Sequence, residues 1–344
     1  MRAERARAGL VDDGRIRDRD AARDGRDKPS RWSSAGRWLT WAFMLGVLGL
    51  VAHHARQVDW PAVGTALREL PWTVLAAAAA LAATSHAIYA SYDLIGRRHL
   101  GHAVPPWRVV GLTFVSYAFN LNLGALVGGI AMRYRLYARQ GLEAAATTQV
   151  LTLSMITNWL GYLLLAGTLF VVAPLTPPRD WDIAAGGLRG LGAGMVALGL
   201  AWIGACFFSP RRRWVVRGRE VELPSGPVSL WQAGLSMVNW AVIGAVIHVL
   251  LQGRVDFPAV LSALLVAAVA GVVTHVPAGL GVLEAVFVAL IGPQAVNAAV
   301  QGGEAALSTG VLLAALLAYR AIYYLAPLAL AAALLPWLDG RRAA

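Results

Sequence analysis

Ten stretches of at least fifteen residues contain no Asp, Glu, Lys or Arg: 38–55, 73–92 following Trp72, 109–132, 144–178, 190–210, 223–253, 257–283, 285–303, 305–319 and 321–338. A helix crosses a bilayer in about 20 mostly apolar residues, so most of these stretches suffice alone. The last two suffice only if Arg320 lies inside one helix. Charged residues make up 14% of the chain, against roughly a quarter in a soluble domain. The expected fold class is therefore all-α, a polytopic transmembrane helix bundle.

The charges between the stretches give an orientation. The net charge of +11 rests on 30 Lys plus Arg against 19 Asp plus Glu. In a soluble chain that excess suggests nucleic acid. Here the basic residues flank hydrophobic runs, so anionic lipid and topology control account for them, and no nucleic-acid partner is expected. Arg97, Arg98 and Arg108 occupy one loop, Arg133, Arg135 and Arg139 the next, and Arg211, Arg212, Arg213, Arg217 and Arg219 a third, while Arg341 and Arg342 lie near the end. Excess Arg marks cytoplasmic loops, which puts these segments and both termini on the cytoplasmic side. Residues 1–35 mix Arg and Asp without apolar periodicity and read as a disordered tail. Residues 36–335 read as a single transmembrane domain and 336–344 as a short tail. No signal-peptide pattern starts at Met1, so the run near 38–55 is expected to remain as a helix.

Only the stretch 109–132 separates two of the basic loops. A simple crossing would put one of them outside, whereas a segment that enters and returns keeps both inside. The turn is expected near Asn120-Leu-Asn122-Leu-Gly124, since amides and glycine are odd choices for the middle of a lipid-facing helix. A matching interruption, Thr274-His275-Val276-Pro277-Ala278-Gly279-Leu280-Gly281, lies in the second half and predicts a broken hairpin over 259–297. One hairpin opening inward and one outward, with six full crossings, is the pattern of an inverted repeat around a transport site. A plain bundle of eight or nine crossings is the alternative.

The same segments hold the candidate functional residues. Asn120, Asn122 and Gly124, then Gly128 and Gly129, form the densest polar and small-residue cluster. Their amides and half-helix ends suit either a structural break or a phosphate-bearing head group. Arg133, with Arg135 and Arg139, reads as an interfacial anchor or as a fork for lipid phosphate, and Tyr134 and Tyr137 as interfacial anchors. Glu284 follows 27 uncharged residues and precedes 19 more, a depth at which charge must be solvated or paired. Arg320 lies between 15 and 18 uncharged residues and is the expected partner, with His275 as a second candidate. Asn158-Trp159 and Asn239-Trp240 place the same dipeptide in each half, lining a cavity or packing helices. The one cysteine, Cys206, excludes an intramolecular disulfide and reads as a small packing residue. No zinc-protease, nucleotide-loop or serine-elbow motif is present, so no cofactor, metal or catalytic residue is expected.

Asn120-x-Asn122-x-Gly124 with Gly128-Gly129-x-x-x-Arg133-Tyr134, then Pro277-Ala-Gly279-Leu-Gly281-Val-Leu-Glu284, then Arg320-Ala-Ile-Tyr-Tyr324 with Pro327, resemble three motifs of the YbhN-like membrane family. That family is related to the transmembrane region of lysylphosphatidylglycerol synthases, and the resemblance runs from about 36 to 335. Ala278 stands where the family usually has glycine. The resemblance implies a flippase-like inner-membrane protein, without the lipid-aminoacylating domain. Its implied partners are an anionic or aminoacylated phospholipid or a polyprenyl-linked lipid, and envelope-synthesis enzymes. The implied head-group path comprises Asn120, Asn122, Gly124, Gly128, Gly129, Arg133, Tyr134, Pro277, Gly279, Gly281, Glu284, Arg320 and Tyr324. An accessory or scaffold role in envelope lipid synthesis, and a membrane-embedded lipid-modifying enzyme, are the alternatives.

Overall fold

The structure, a computed structural model, describes residues 60–173, 185–216, 219–274, 276–300 and 308–339. All of them belong to one compact unit, residues 57–344. The expected tail at 1–35, the crossing near 38–55, His275 and the extreme C-terminus lie outside the described residues.

The chain is a membrane bundle of helices. After a short α1 (Trp60–Arg68) come α2 (Trp72–Ala90) and α3 (Tyr92–Leu100), which meet at Ser91 and together make one 29-residue span. Gly101, in the left-handed region at φ 66°, ends α3. Helices α6 (Ala144–Val172), α7 (Ala185–Phe208) and α8 (Gly226–Leu250) are each long and apolar enough to cross a membrane, as are α9 (Phe257–Thr274) and the C-terminal stretch Thr309–Leu338. Exposed tryptophans sit near helix ends at Trp60, Trp72, Trp107, Trp231 and Trp337, where indoles favour the membrane–water interface.

The first interrupted segment is a helical hairpin. Helix α4 (Pro106–Leu123) starts on a proline, whose missing N–H costs nothing in a first turn. It stops at Gly124, φ 83° and ψ 168°. The chain returns through a π-helical turn, Ala125–Ala131, into α5 (Met132–Arg139). A Cβ on Gly128 would lie 2.1 Å from the Phe119 carbonyl oxygen, so the arms touch backbone to backbone. At the open end Arg108 donates to Gln140 Oε1 at 2.5 Å, closing the antiparallel pair. The reversal falls at Gly124 itself, and Asn120 and Asn122 stay inside the last turns of α4, a little before the break.

The second interruption separates α9 from α10 (Val282–Val300) by a 3₁₀ turn, Pro277–Gly279. Ala278, Gly279 and Gly281 all have positive φ, at 57°, 57° and 77°. Helix α11 (Thr309–Tyr319) then runs through a second π-helical turn, Arg320–Leu325, into α12 (Ala326–Asp339). Arg320 therefore lies within one long helical stretch, and α12 continues past the expected end of the domain at 335 to Asp339.

Among the described residues two large apolar clusters and a small third one, around Leu160, Leu164 and Ala233, fill the bundle. The largest joins α2, α6 and α8 to α9, α10 and α11, and the second joins the α4–α5 hairpin to α6 and α12. Close helix crossings need small residues: a Cβ on Gly161 of α6 would meet the Ser236 side chain of α8 at 2.3 Å. The strands among the described residues form a hairpin in the basic loop, β1 (Arg213–Val216) and β2 (Arg219–Glu222), paired antiparallel with Arg213 opposite Glu222.

Candidate functional site

The second π-helical turn gathers the three motif segments. Arg320 Nε donates to Glu284 Oε1 at 2.5 Å and Nη2 to Oε2 at 3.0 Å, a two-point pairing of guanidinium and carboxylate. The same guanidinium donates from Nη1 to the Ala278 carbonyl at 2.9 Å and from Nη2 to the Gly279 carbonyl at 2.8 Å. Those carbonyls belong to the non-helical break and have no helical partner, so Arg320 supplies donors that water would otherwise provide. Its Cζ lies 5.5 Å from the centre of the Tyr324 ring. From the first hairpin, Asn122 Nδ2 donates to Ala118 O at 2.8 Å and to Tyr324 O at 3.2 Å. The tip of one interrupted segment and the break of the other thus attach to the same six-residue turn. The expected pairing of Glu284 with Arg320 is present, and the two side chains are 17% and 10% exposed.

Arg133 is elsewhere. Counted in the sequence among cytoplasmic anchors, it is in fact buried, because α5 turns it inward against α3. Its Nε lies 3.1 Å from Asp93 Oδ2, and the two side chains are 4% and 0% exposed. Tyr137, expected at the interface, is also buried and donates its hydroxyl to Asp93 Oδ2 at 3.0 Å. The Arg133 Cζ stands 5.7 Å from the Tyr89 ring centre. Just beyond the span, His102 sits edge-on to Tyr137, and burial, followed by the Arg97 charge, holds its imidazole below the ordinary range. Arg135 and Arg139, on the same helix, are exposed.

A polar seam runs inward from the Arg320 turn. Tyr323 Oη shares hydrogen bonds with Ser85 Oγ at 2.7 Å and Tyr117 Oη at 3.1 Å, and Ser85 Oγ donates to Asn239 Oδ1 at 2.8 Å. Tyr117 in turn stacks on Tyr89, the ring that faces Arg133, with centroids 3.6 Å apart. Of the paired dipeptides, Asn239 joins this seam, while Asn158 offers its carbonyl to Ser236 and Trp240.

The expected path residues therefore divide. Asn122, Gly279, Glu284, Arg320 and Tyr324 meet at one centre, with Gly281 ending the break beside them. Asn120 packs across the hairpin on Gly129, where an added Cβ would come 2.7 Å from its Oδ1. Tyr134 shares a hydrogen bond with Thr148 of α6 at 2.6 Å. Asp93 was missed. It closes the stretch 73–92, and the signal was an acid within one helical turn of Arg97 in a run that did not stop. Among the described residues no group of three or more His, Cys, Asp or Glu is placed to hold a metal ion.

Residues 37–331 match the family described as the lysylphosphatidylglycerol synthase TM region. The chain belongs to that family. All three motif segments at the Arg320 turn lie inside the matched span. Within the lysylphosphatidylglycerol synthase TM family, the chain is 42% identical over 301 residues to "Inner membrane protein YbhN" of Escherichia coli (strain K12), covering 88% of this chain and 91% of that protein. It is 32% identical over 289 residues to "Uncharacterized protein slr0712" of Synechocystis sp., covering 83% and 84%.

Proposed function

We propose that the protein is a lipid translocase of the bacterial inner membrane, moving a phosphate-bearing lipid head group between leaflets while the acyl chains stay in lipid. The observation that carries this reading is the convergence of both interrupted segments on Arg320. Non-helical backbone at membrane depth is tolerated where protein or a polar cavity satisfies it. Here one guanidinium satisfies two such carbonyls and a carboxylate together. Family membership supports a lipid-handling role, and the name of the Escherichia coli relative supports the location.

In this reading the α4–α5 and α9–α10 hairpins are re-entrant from opposite faces, both termini are cytoplasmic, and the head group passes along the seam between them. Asn120, Gly124, Gly128 and Gly129 shape the first hairpin, and Pro277, Gly279 and Gly281 the second. Asn122, Glu284, Arg320 and Tyr324 form the junction that must loosen for passage, and Arg133 receives the phosphate, with Tyr134 bracing its helix.

The test is leaflet redistribution of labelled phospholipids and a polyprenyl phosphate in proteoliposomes, comparing wild type with Glu284→Gln. Redistribution that depends on wild-type protein, and falls at least about tenfold in a folded variant, is the expected result. No movement of any lipid by folded wild-type protein would overturn it in favour of an accessory role beside envelope enzymes. Chemical conversion of the lipid without movement would favour the enzyme reading.

A further inference from the structure

The Asp93–Arg133 pair is buried yet incompletely bonded. Asp93 Oδ2 is occupied by Tyr137 and by the Arg133 contact, but Oδ1 makes no hydrogen bond. Arg133 Nε and Nη2 also make none, since the 3.1 Å approach of Nε to Oδ2 has ion-pair distance without hydrogen-bond alignment. Buried carboxylates and guanidiniums are ordinarily saturated, because each unmet valence forfeits its hydration. This pair leaves free one acceptor of negative charge and two donors of positive charge, side by side.

We infer that this pair seats a zwitterionic lipid head group, with the ammonium on Asp93 Oδ1 and the phosphate on Arg133 Nε and Nη2. The inference rests on the translocase reading for the arrival of a lipid, and goes beyond it in naming the charge class of the cargo. Charge balance selects the class. The pair is neutral, and a head group with one ammonium and one phosphate is neutral too, so each buried charge gains a partner and none is left over. A phosphatidylglycerol phosphate would put two anions beside one guanidinium. A lysyl-phosphatidylglycerol head group would leave a cation in excess. Either residue of charge is costly at this burial. An ammonium with N–H donors suits Oδ1, which a quaternary ammonium does not.

The contrast with the other centre supports the assignment. Arg320 uses Nε, Nη1 and Nη2 in four hydrogen bonds, and both oxygens of Glu284 are engaged, so that pair offers a ligand no free carboxylate oxygen and no unbonded nitrogen.

The experiment titrates full-length protein in detergent with phosphatidylethanolamine, phosphatidylcholine, phosphatidylglycerol and lysyl-phosphatidylglycerol, reading bound lipid by native mass spectrometry. Wild type should hold phosphatidylethanolamine at least about tenfold more tightly than any of the other three. Asp93→Asn, which leaves the Arg133 charge, should move the preference to phosphatidylglycerol. Arg133→Gln, which leaves the Asp93 charge, should move it to lysyl-phosphatidylglycerol. A variant that is merely destabilised loses all four lipids alike and cannot reverse their order. Equal wild-type affinity for the four would overturn the inference, as would variants that fold and keep the wild-type order; the free valences then hold water. Redistribution of every lipid at one rate, without binding preference, would overturn the inference and leave the translocase reading intact. A binding preference without redistribution would do the opposite.

Discussion

Among the described residues two carboxylate–guanidinium pairs are largely buried, and they are built differently. Glu284 and Arg320 meet through two hydrogen bonds, and Arg320 donates two more to the carbonyls of a broken helix. Asp93 and Arg133 touch at a single oxygen and leave valences free. The first arrangement suits a fastener, in which geometry over-determines the side chain. The second suits a seat, in which unmet charge waits for a partner. Burial alone does not distinguish them, because both pairs are largely shielded; the count of satisfied donors does.

The largest expected effect follows from the fastener. Arg320→Ala strands the Glu284 carboxylate and two carbonyls, and removing one partner of a buried pair costs roughly 3–5 kcal/mol. Thermal unfolding in detergent should show it as a large fall in Tm or as loss of folded protein. Arg320→Lys keeps the charge but cannot reproduce the fork and both carbonyl bonds, so most of the loss should persist. A lysine variant as stable as wild type would break the comparison.

Next comes the first hairpin. Gly128→Ala forces a methyl against the Phe119 backbone, which cannot yield as a side-chain end would. Such overpacking costs about 1–3 kcal/mol. Limited proteolysis between α4 and α5 should accelerate in this variant, whereas the same substitution at Gly64, which faces open space, should leave the cleavage pattern unchanged.

Arg133→Lys should cost less, about 1 kcal/mol, since the contact it replaces is one unaligned ion pair. Placing lysine at 133 and at 320 in otherwise identical protein therefore sharpens the comparison. A loss at 133 as large as at 320 would mean that the Arg133 pair is a fastener too.

Much of this was legible in the sequence, and the reason it was legible is the cost of charge in hydrocarbon. Glu284 and Arg320 interrupt long uncharged stretches, so each demands a partner, and their charges are opposite. The interruptions at Gly124 and at Pro277–Gly281 announce themselves by residue type. Asp93 did not, because it sits at the edge of a stretch, where a charge is ordinarily solvated. Only the continuation of the helix through Ser91 to Leu100, and the way α3 faces α5, carry it inside. Arg133 was misplaced for the same reason: counting loop charges assigns every arginine near an interface to water, and the pairing that removes Arg133 from water is set by tertiary contact. The break expected over Asn120–Gly124 falls at the last of those residues, since amides within the last turns of a helix can bond backward to its own carbonyls, as Asn122 does to Ala118.

The smallest expected effect tests the fastener from the other side. Ala278 holds φ 57° and ψ 7°, a conformation that glycine adopts freely and alanine does not. The left-handed region costs a residue with a Cβ roughly 1–2 kcal/mol. Glycine there gives back about 0.5–1 kcal/mol through the greater freedom of the unfolded chain. Ala278→Gly should therefore stabilise the protein by a net of about 0.5–1 kcal/mol, seen as a small rise in Tm. The sign matters more than the size, because Arg320 Nη1 grips the Ala278 carbonyl and keeps the residue in place. If the grip is what sustains the strained turn, the gain should grow when Ala278→Gly is combined with Arg320→Lys. If instead the two substitutions add independently, the break holds its shape without Arg320, and the guanidinium serves only to satisfy the groups it touches.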